Sequence, residues 1–337
     1  MNTNEIRRVL VTGGAGYVGA VLVPKLLKNG FEVKVLDTMF FSARGLDPVH
    51  SNPNLTIFVG DIRDTSKVKE ALTDMDAVIH LASISNDPSG NLDPQLTVEV
   101  NYEATVTLAR MSKELGLKRF INVSTSSVYG VKEDPEVTED LPLEPLTIYS
   151  KTKADAEPKV MALSDKNFTV VTIRPATICG YSPKMRLDLS VNILTMHALT
   201  KGVITVFGGN QKRPNIHIDD ITDYYAKLLT IPTEKLNGKI YNAGYENHSI
   251  MNIAEMVRDI IGPEVKIEVT DTNDNRSYHV SSEKIKKELG LFPSKTIHDA
   301  VVDIKHAADN RQIDWDDINF YNVKKMDLLI KEGKIKY

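Results

Sequence analysis

The stretch Val9-Leu-Val-Thr-Gly-Gly-Ala-Gly-Tyr-Val-Gly19 decides the fold. Val9 to Val11 predict a short buried strand, closed off at once by glycine. Gly13, Gly16 and Gly19 then recur at three-residue spacing and run into a helical apolar pattern of Val18, Val21, Leu22 and Leu26. Each glycine has a task. Gly13 lets the chain turn off the strand, Gly16 leaves a pyrophosphate free to approach the backbone, and Gly19 seats the new helix close to the sheet. Free N–H groups at that helix start, with the helix dipole behind them, suit phosphate. A second strand, Glu32 to Leu36, ends in Asp37, eighteen residues after Gly19, where a carboxylate can accept both hydroxyls of an adenosine ribose. Asp37 favours NAD over NADP, because it would repel a 2′-phosphate and Arg44 lies too far along the loop.

The totals narrow the class. With 337 residues the chain can bury a large core in one large or two fused domains. A net charge of −4 recommends neither nucleic acid nor an anionic membrane as partner. Cys179 is the only cysteine, which rules out an internal disulfide framework or a thiolate metal cluster. The eight histidines show no close ligand spacing, so no metal is argued. No signal-peptide pattern and no membrane-length apolar run occur, making the cytoplasm the expected location.

Strand and helix patterns alternate through the first half, the signature of a parallel sheet covered on both faces. Strands are expected at 55–59, 77–81, 119–123 and 169–173. Helices are expected at 65–72, 93–115 and 148–163, the last kinked at Pro158, which removes an amide donor. Beyond Arg174-Pro175 come a basic loop 182–187, a helix 188–199 and a strand 204–207. A helix over 221–229 and a strand near 239–243 returning to the large sheet follow. Then come a helix 250–261 behind Ser249, a strand 265–269, and helices near 283–289 and 297–308. The expected architecture is therefore α/β: a Rossmann-type, doubly wound parallel sheet over residues 1–178 and a smaller substrate-binding α/β lobe over 179–310. Residues 311–337 read as a charged C-terminal tail.

Tyr149 and Lys153 are four apart at a helix start, hence on one face. An ammonium beside a phenol favours the phenolate and lowers a pKa that is ordinarily about 10, giving a general base at neutral pH. The alternative, a surface Tyr/Lys pair, loses force downstream of a dinucleotide fold and the hydroxyl cluster Ser124-Thr-Ser-Ser-Val-Tyr-Gly130.

With these motifs in place, the chain resembles the extended short-chain dehydrogenases/reductases of the nucleotide-sugar epimerase and dehydratase family. The resemblance runs from Arg8 to about Ala308 and is carried by Thr12 to Gly19, Asp61-Ile62, His80-Leu-Ala-Ser83, Ser124 to Gly130, Tyr149 to Lys153, Arg174-Pro175 and Arg213 to Asp220. It implies an enzyme with bound NAD, contacted by Gly13, Gly16, Tyr17, Val18, Gly19, Asp37, Asp61, Ile62, Leu81, Ala82, Ser83, Tyr149 and Lys153. It further implies Thr125 as the residue that hydrogen-bonds the reacting sugar oxygen, and Arg213 and Arg276 as the pair gripping a nucleotide diphosphate. A homodimer through helices 93–115 and 148–163 is implied in the same way.

The reaction implied is oxidation of a nucleotide sugar, at C4, by hydride transfer to NAD while Tyr149 takes the hydroxyl proton. The ketone can then be re-reduced on its other face, lose water, or leave. Family dehydratases carry an Asp-Glu pair after the threonine; here Ser126 and Ser127 stand there, hydroxyls unable to act as acid and base at neutral pH. A 4-epimerase is the preferred reading. The alternatives are a 4-dehydrogenase or ketoreductase and a non-catalytic NAD-binding regulator. Cys179 to Asn192 departs from common epimerases and looks more like a branch acting on bacterial surface-sugar precursors, including enzymes that oxidise GDP-heptoses. Lys184 and Arg186 can meet phosphate or form a solvated basic loop, and Asn192 can meet sugar or phosphate. Ser85, Asn86 and Asp87 can touch substrate or cap the loop, and Ser126 faces substrate beside Thr125. His217 and Cys179 are expected to be structural.

Overall fold

The structure is a computed structural model that describes residues 5–132, 134–272 and 279–335. Twelve strands form among these residues. β1 (Arg8–Thr12), β2 (Glu32–Asp37), β3 (Leu55–Val59), β4 (Ala77–His80), β5 (Arg119–Val123) and β6 (Thr169–Pro175) come first. β7 (Thr177–Cys179), β8 (Val203–Phe207), β9 (Lys212–His217), β10 (Lys239–Ala243), β11 (Glu246–Ser249) and β12 (Lys266–Thr270) follow. The principal sheet has the order β10-β6-β5-β4-β1-β2-β3, and every pair in it is parallel. Its central strands are apolar on both faces, with Val9, Leu10, Val11, Val78 and Ile79 fully buried, because helices cover the sheet on each side. This is the doubly wound sheet that the strand–helix alternation predicts, including the late return of β10 beside β6.

The chain order reverses direction between β1 and β4, and the carboxyl ends of the strands there open into a crevice, the place where such sheets bind ligands. Buried polar contacts set the shape of that edge. His80 at the end of β4 lies between Thr12 (2.7 Å) and Thr105 (2.8 Å); burial pushes its pKa down to about 3, so it stays neutral. The expected helix over 93–115 begins at Pro94, capped by Asp93, and runs to Glu114. Its middle turn, Glu99–Ala104, is π-helical and aims Asn101 at the loop after β4. The Asn101 amide accepts from Ile84 N (2.8 Å) and donates to Ile84 O (2.9 Å), which holds Ser83 and Ile84 in place.

The second lobe contains a three-stranded sheet, β11-β9-β7, and the parallel pair β12-β8. The helix expected at 188–199 lies at Ser190–Lys201, and the short β7 was not foreseen. The helix expected at 148–163 lies at Ile148–Met161 and includes Pro158, the position of the expected kink. The C-terminal segment corrects the sequence reading more substantially. Residues expected as a charged tail include a helix, Asn322–Lys331, with Met326 and Leu329 buried, packed against the helix Asp87–Leu92. Its apolar residues recur at three- and four-residue spacing, enough to bury one stripe although the segment is charged overall.

Candidate active site

Backbone crowds two of the three regularly spaced glycines, Gly13 and Gly19. Gly13 has φ +70°, and a Cβ there would lie 2.7 Å from Ala82 N on the neighbouring strand exit. A Cβ on Gly19 would lie 2.3 Å from Gly14 O, so the helix Gly19–Lys28 starts in backbone contact with the turn. No side chain caps that helix, which leaves its amino end to an anion. A cavity of about 270 Å³ opens in front of it. Gly13, Gly16, Tyr17, Val18, Gly19, Asp37, Asp61, Ile62, Leu81, Ala82 and Ser83, all expected to contact the cofactor, line this cavity, as do Tyr149 and Lys153. The Asp37 carboxylate accepts from Ala15 N (3.1 Å) and Met39 N (2.9 Å); burial raises its pKa while those bonds oppose the rise. Asp61 is engaged by Arg63 (2.8 Å), which also reaches Glu99 (2.9 Å). Glycine turn, uncapped helix end and a carboxylate at the end of β2 together fit a dinucleotide.

A second cavity, of about 480 Å³, adjoins the first. Thr125, Ser126 and Arg213 line it, and Tyr17, Ser85, Ser124, Tyr149 and Arg186 belong to the walls of both. Tyr149 therefore stands at the seam. The helix that carries it is started by a capping box between Thr147 and Ser150 (3.2 Å and 3.1 Å), and Thr147 is tied to Asp87. One turn on, Lys153 is 5% exposed and its ammonium donates to Val123 O at 3.0 Å. Burial pushes its pKa down to about 8, and the charge of Glu157 opposes the shift. Thr125 caps the short 3₁₀ turn Ser126–Tyr129 by accepting from Ser127 N (3.2 Å).

The loop before Ser190 is not a solvated basic face. Arg186 is largely buried and gripped by Asp188 (3.1 Å and 2.7 Å). Burial opposes its charge, but Asp188 more than compensates, with Tyr149 nearby adding to the effect. Asn86 donates to the same Asp188 while its own oxygen caps the helix Asp87–Leu92 at Ser89 N (2.8 Å). Of the two uses expected of Ser85, Asn86 and Asp87, Asn86 shows the loop-capping one, and all three residues line the second cavity. Asn192, expected to meet sugar or phosphate, instead faces the interior. It is fully buried and bonded to Tyr17 Oη (3.2 Å), Gly180 N (3.1 Å) and Arg186 O (3.0 Å). Its helix position turns it towards the glycine turn rather than the cavity. Arg276 lies outside the described residues.

Cys179 is buried in the apolar core of the second lobe, and burial pushes its thiol pKa up. His217 caps the helix Ile218–Leu228. It clusters with Asp219 and Asp303, and the Lys295 ammonium bridges these two carboxylates (2.6 Å and 3.4 Å). Sequence reasoning missed the contribution of the C-terminus: Asn322, Met326 and Ile335 line the first cavity and Val323 the second. The helical spacing of Val323, Met326 and Leu329 was the available signal.

Residues 9–244 match the NAD dependent epimerase/dehydratase family. A UDP-glucose 4-epimerase of Lactobacillus helveticus is 28% identical over 88% of this chain and 94% of its own length. UDP-glucuronic acid decarboxylase 1 of Xenopus tropicalis is 27% identical over 93% of this chain and 76% of its own. Among solved structures, UDP-glucuronic acid 4-epimerase from Bacillus cereus, in complex with UDP-glucuronic acid and NAD, superposes with a TM-score of 0.81. It is 28% identical, over 90% of this chain and 99% of that one. The matched span reaches from β1 through β10, and so includes the glycine turn, Tyr149 and Lys153 in one continuous domain pattern. On this agreement of sequence, fold and site, the chain belongs to the NAD-dependent epimerase/dehydratase family.

Proposed function

We propose that this NAD-dependent enzyme is a nucleotide-sugar 4-epimerase. The observation that carries the reading is the position of Tyr149 at the seam of two cavities, one built for a dinucleotide and the other lined by hydroxyls and Arg213. Bound NAD supplies a two-electron hydride acceptor that can return the hydride. Tyr149 takes the proton of the sugar hydroxyl as the carbon is oxidised, and gives it back on reduction. Lys153 holds positive charge one helical turn away and favours the phenolate. Thr125 hydrogen-bonds the reacting oxygen, and Arg213 meets the diphosphate as a planar donor. Epimerisation then requires the ketosugar to turn in the second cavity and be reduced on its opposite face.

Ser126 and Ser127 speak against dehydration: both line the second cavity, and neither hydroxyl can serve as acid or base for an elimination at neutral pH. The departures in Cys179 to Asn192 keep a 4-dehydrogenase, for example one acting on a GDP-heptose, as the second reading. Product analysis separates the two. With a panel of nucleotide sugars, the epimerase equilibrates two epimers and shows no net reduced-cofactor absorbance. Stoichiometric accumulation of that absorbance with a ketosugar product would establish the dehydrogenase instead.

The helices 94–114 and 148–161 are proposed as the face of a homodimer acting in the cytoplasm. No helix among the described residues is long and apolar enough to cross a membrane. Light scattering at micromolar concentration is expected to give twice the chain mass of 37.5 kDa; the single-chain mass would refute the dimer.

A further inference from the structure

Lys184 occupies an unusual place for a lysine. The loop that carries it is pinned to the glycine turn by Ser182, whose hydroxyl donates to Tyr17 O at 2.8 Å. Lys184 is 3% exposed, lines the first cavity and lies over the Phe41 ring at 5.1 Å. Among the described residues its ammonium makes one hydrogen bond, to Asn322 Oδ1 at 3.0 Å, although it carries three donors. Asp37, Asp188 and Asp317 act on it only at longer range, and no carboxylate among the described residues is within ion-pair distance. An ammonium buried among neutral hydrogen-bond partners is costly, and an anion entering the cavity would offset that cost. The cavity it faces is the one whose glycine turn and helix end present N–H groups to phosphate.

We propose that Lys184, oriented by Asn322, binds the diphosphate of the dinucleotide, which makes the C-terminal helix part of the cofactor site. Asn322 begins that helix, and Met326 and Ile335 extend the same wall over the cavity. Two residues 138 positions apart in sequence thereby share one wall of the cavity.

The charge state supplies a readout beyond affinity. Burial pushes the Lys184 pKa down to about 7, Arg186 pushes the same way, and Asp188, Asp37 and Asp317 oppose. Burial thus loosens the hold of the amine on its proton; a bound diphosphate acts the other way, so binding is expected to take up a proton.

Nucleotide-free full-length protein is titrated calorimetrically with NAD, ADP and adenosine in two buffers of different ionisation heat. Lys184→Gln is expected to weaken NAD and ADP by about 10- to 100-fold, the range of a charge-assisted hydrogen bond, and to leave adenosine unchanged. It is also expected to abolish the buffer-dependent heat. Asn322→Leu weakens NAD in the same direction, and Lys184→Arg, which keeps the charge, stays within a few-fold of the wild type. Unaltered NAD binding by Lys184→Gln, or equal losses for ADP and adenosine, would overturn the assignment. So would a Lys184→Arg protein as impaired as Lys184→Gln, since packing rather than charge would then be at issue.

Discussion

Tyr149→Phe is expected to lower turnover by at least about a hundredfold, within the roughly 10²–10⁴ that a positioned general base contributes. Removing one hydroxyl leaves the ring, the capping box at Thr147 and Ser150, and the Lys153 contact with Val123 O in place. NAD affinity and melting temperature should therefore stay near those of the wild type. The loss is expected in the chemical step, because the substitution deletes the atom proposed to exchange a proton with the sugar. Measured turnover equal to the wild type would remove Tyr149 from the mechanism and, with it, the reading of the seam between the cavities.

The largest stability effect is expected at Glu157. This carboxylate is 2% exposed and accepts from Arg174 Nη2 (2.6 Å), Arg174 Nε (3.1 Å) and Ser124 Oγ (2.5 Å). Arg174 in turn donates to Tyr129 Oη (2.7 Å), which donates to Asn242 Oδ1 (2.8 Å). The network ties the helix of Tyr149 to the ends of β5, β6 and β10. Glu157→Ala leaves the Arg174 guanidinium buried without its counter-charge, a change that costs about 3–5 kcal/mol. The melting temperature should drop by on the order of 10 °C. Removing both charges by Glu157→Leu with Arg174→Met should recover much of that loss, because no buried charge is then left unpaired. A single variant that melts with the wild type would show that solvent or another group already balances Arg174.

Tyr149 and Lys153 are legible in the sequence because their relation is local: four residues on a helix share a face whatever surrounds them. The glycine turn, the position of Asp37 and the alternation of strands and helices are legible for the same reason. They are set by backbone sterics and by periodicity within about one element. The sequence also shows Ser126 and Ser127 where a dehydratase would need acids, since that comparison is one of residue types at adjacent positions.

What the sequence by itself determined, then, was the doubly wound sheet, the glycine turn that faces the first cavity and the pairing of Tyr149 with Lys153 on one helix face. The tertiary structure decided how the side chains from distant segments are used. Asn192 and Arg186 are six residues apart, yet one is consumed by interior hydrogen bonds and the other lines both cavities. Lys184 and Arg186 form a buried charged wall rather than a solvated loop only because Asn322, Asp188 and Asn86 come to meet them. The C-terminal residues read as a tail because their charge dominates their composition, and become a wall because the cavity accepts their apolar stripe. The physical reason is common to all of these. Burial and pairing are properties of what the fold brings alongside a residue, and no local period encodes a partner more than a hundred positions away.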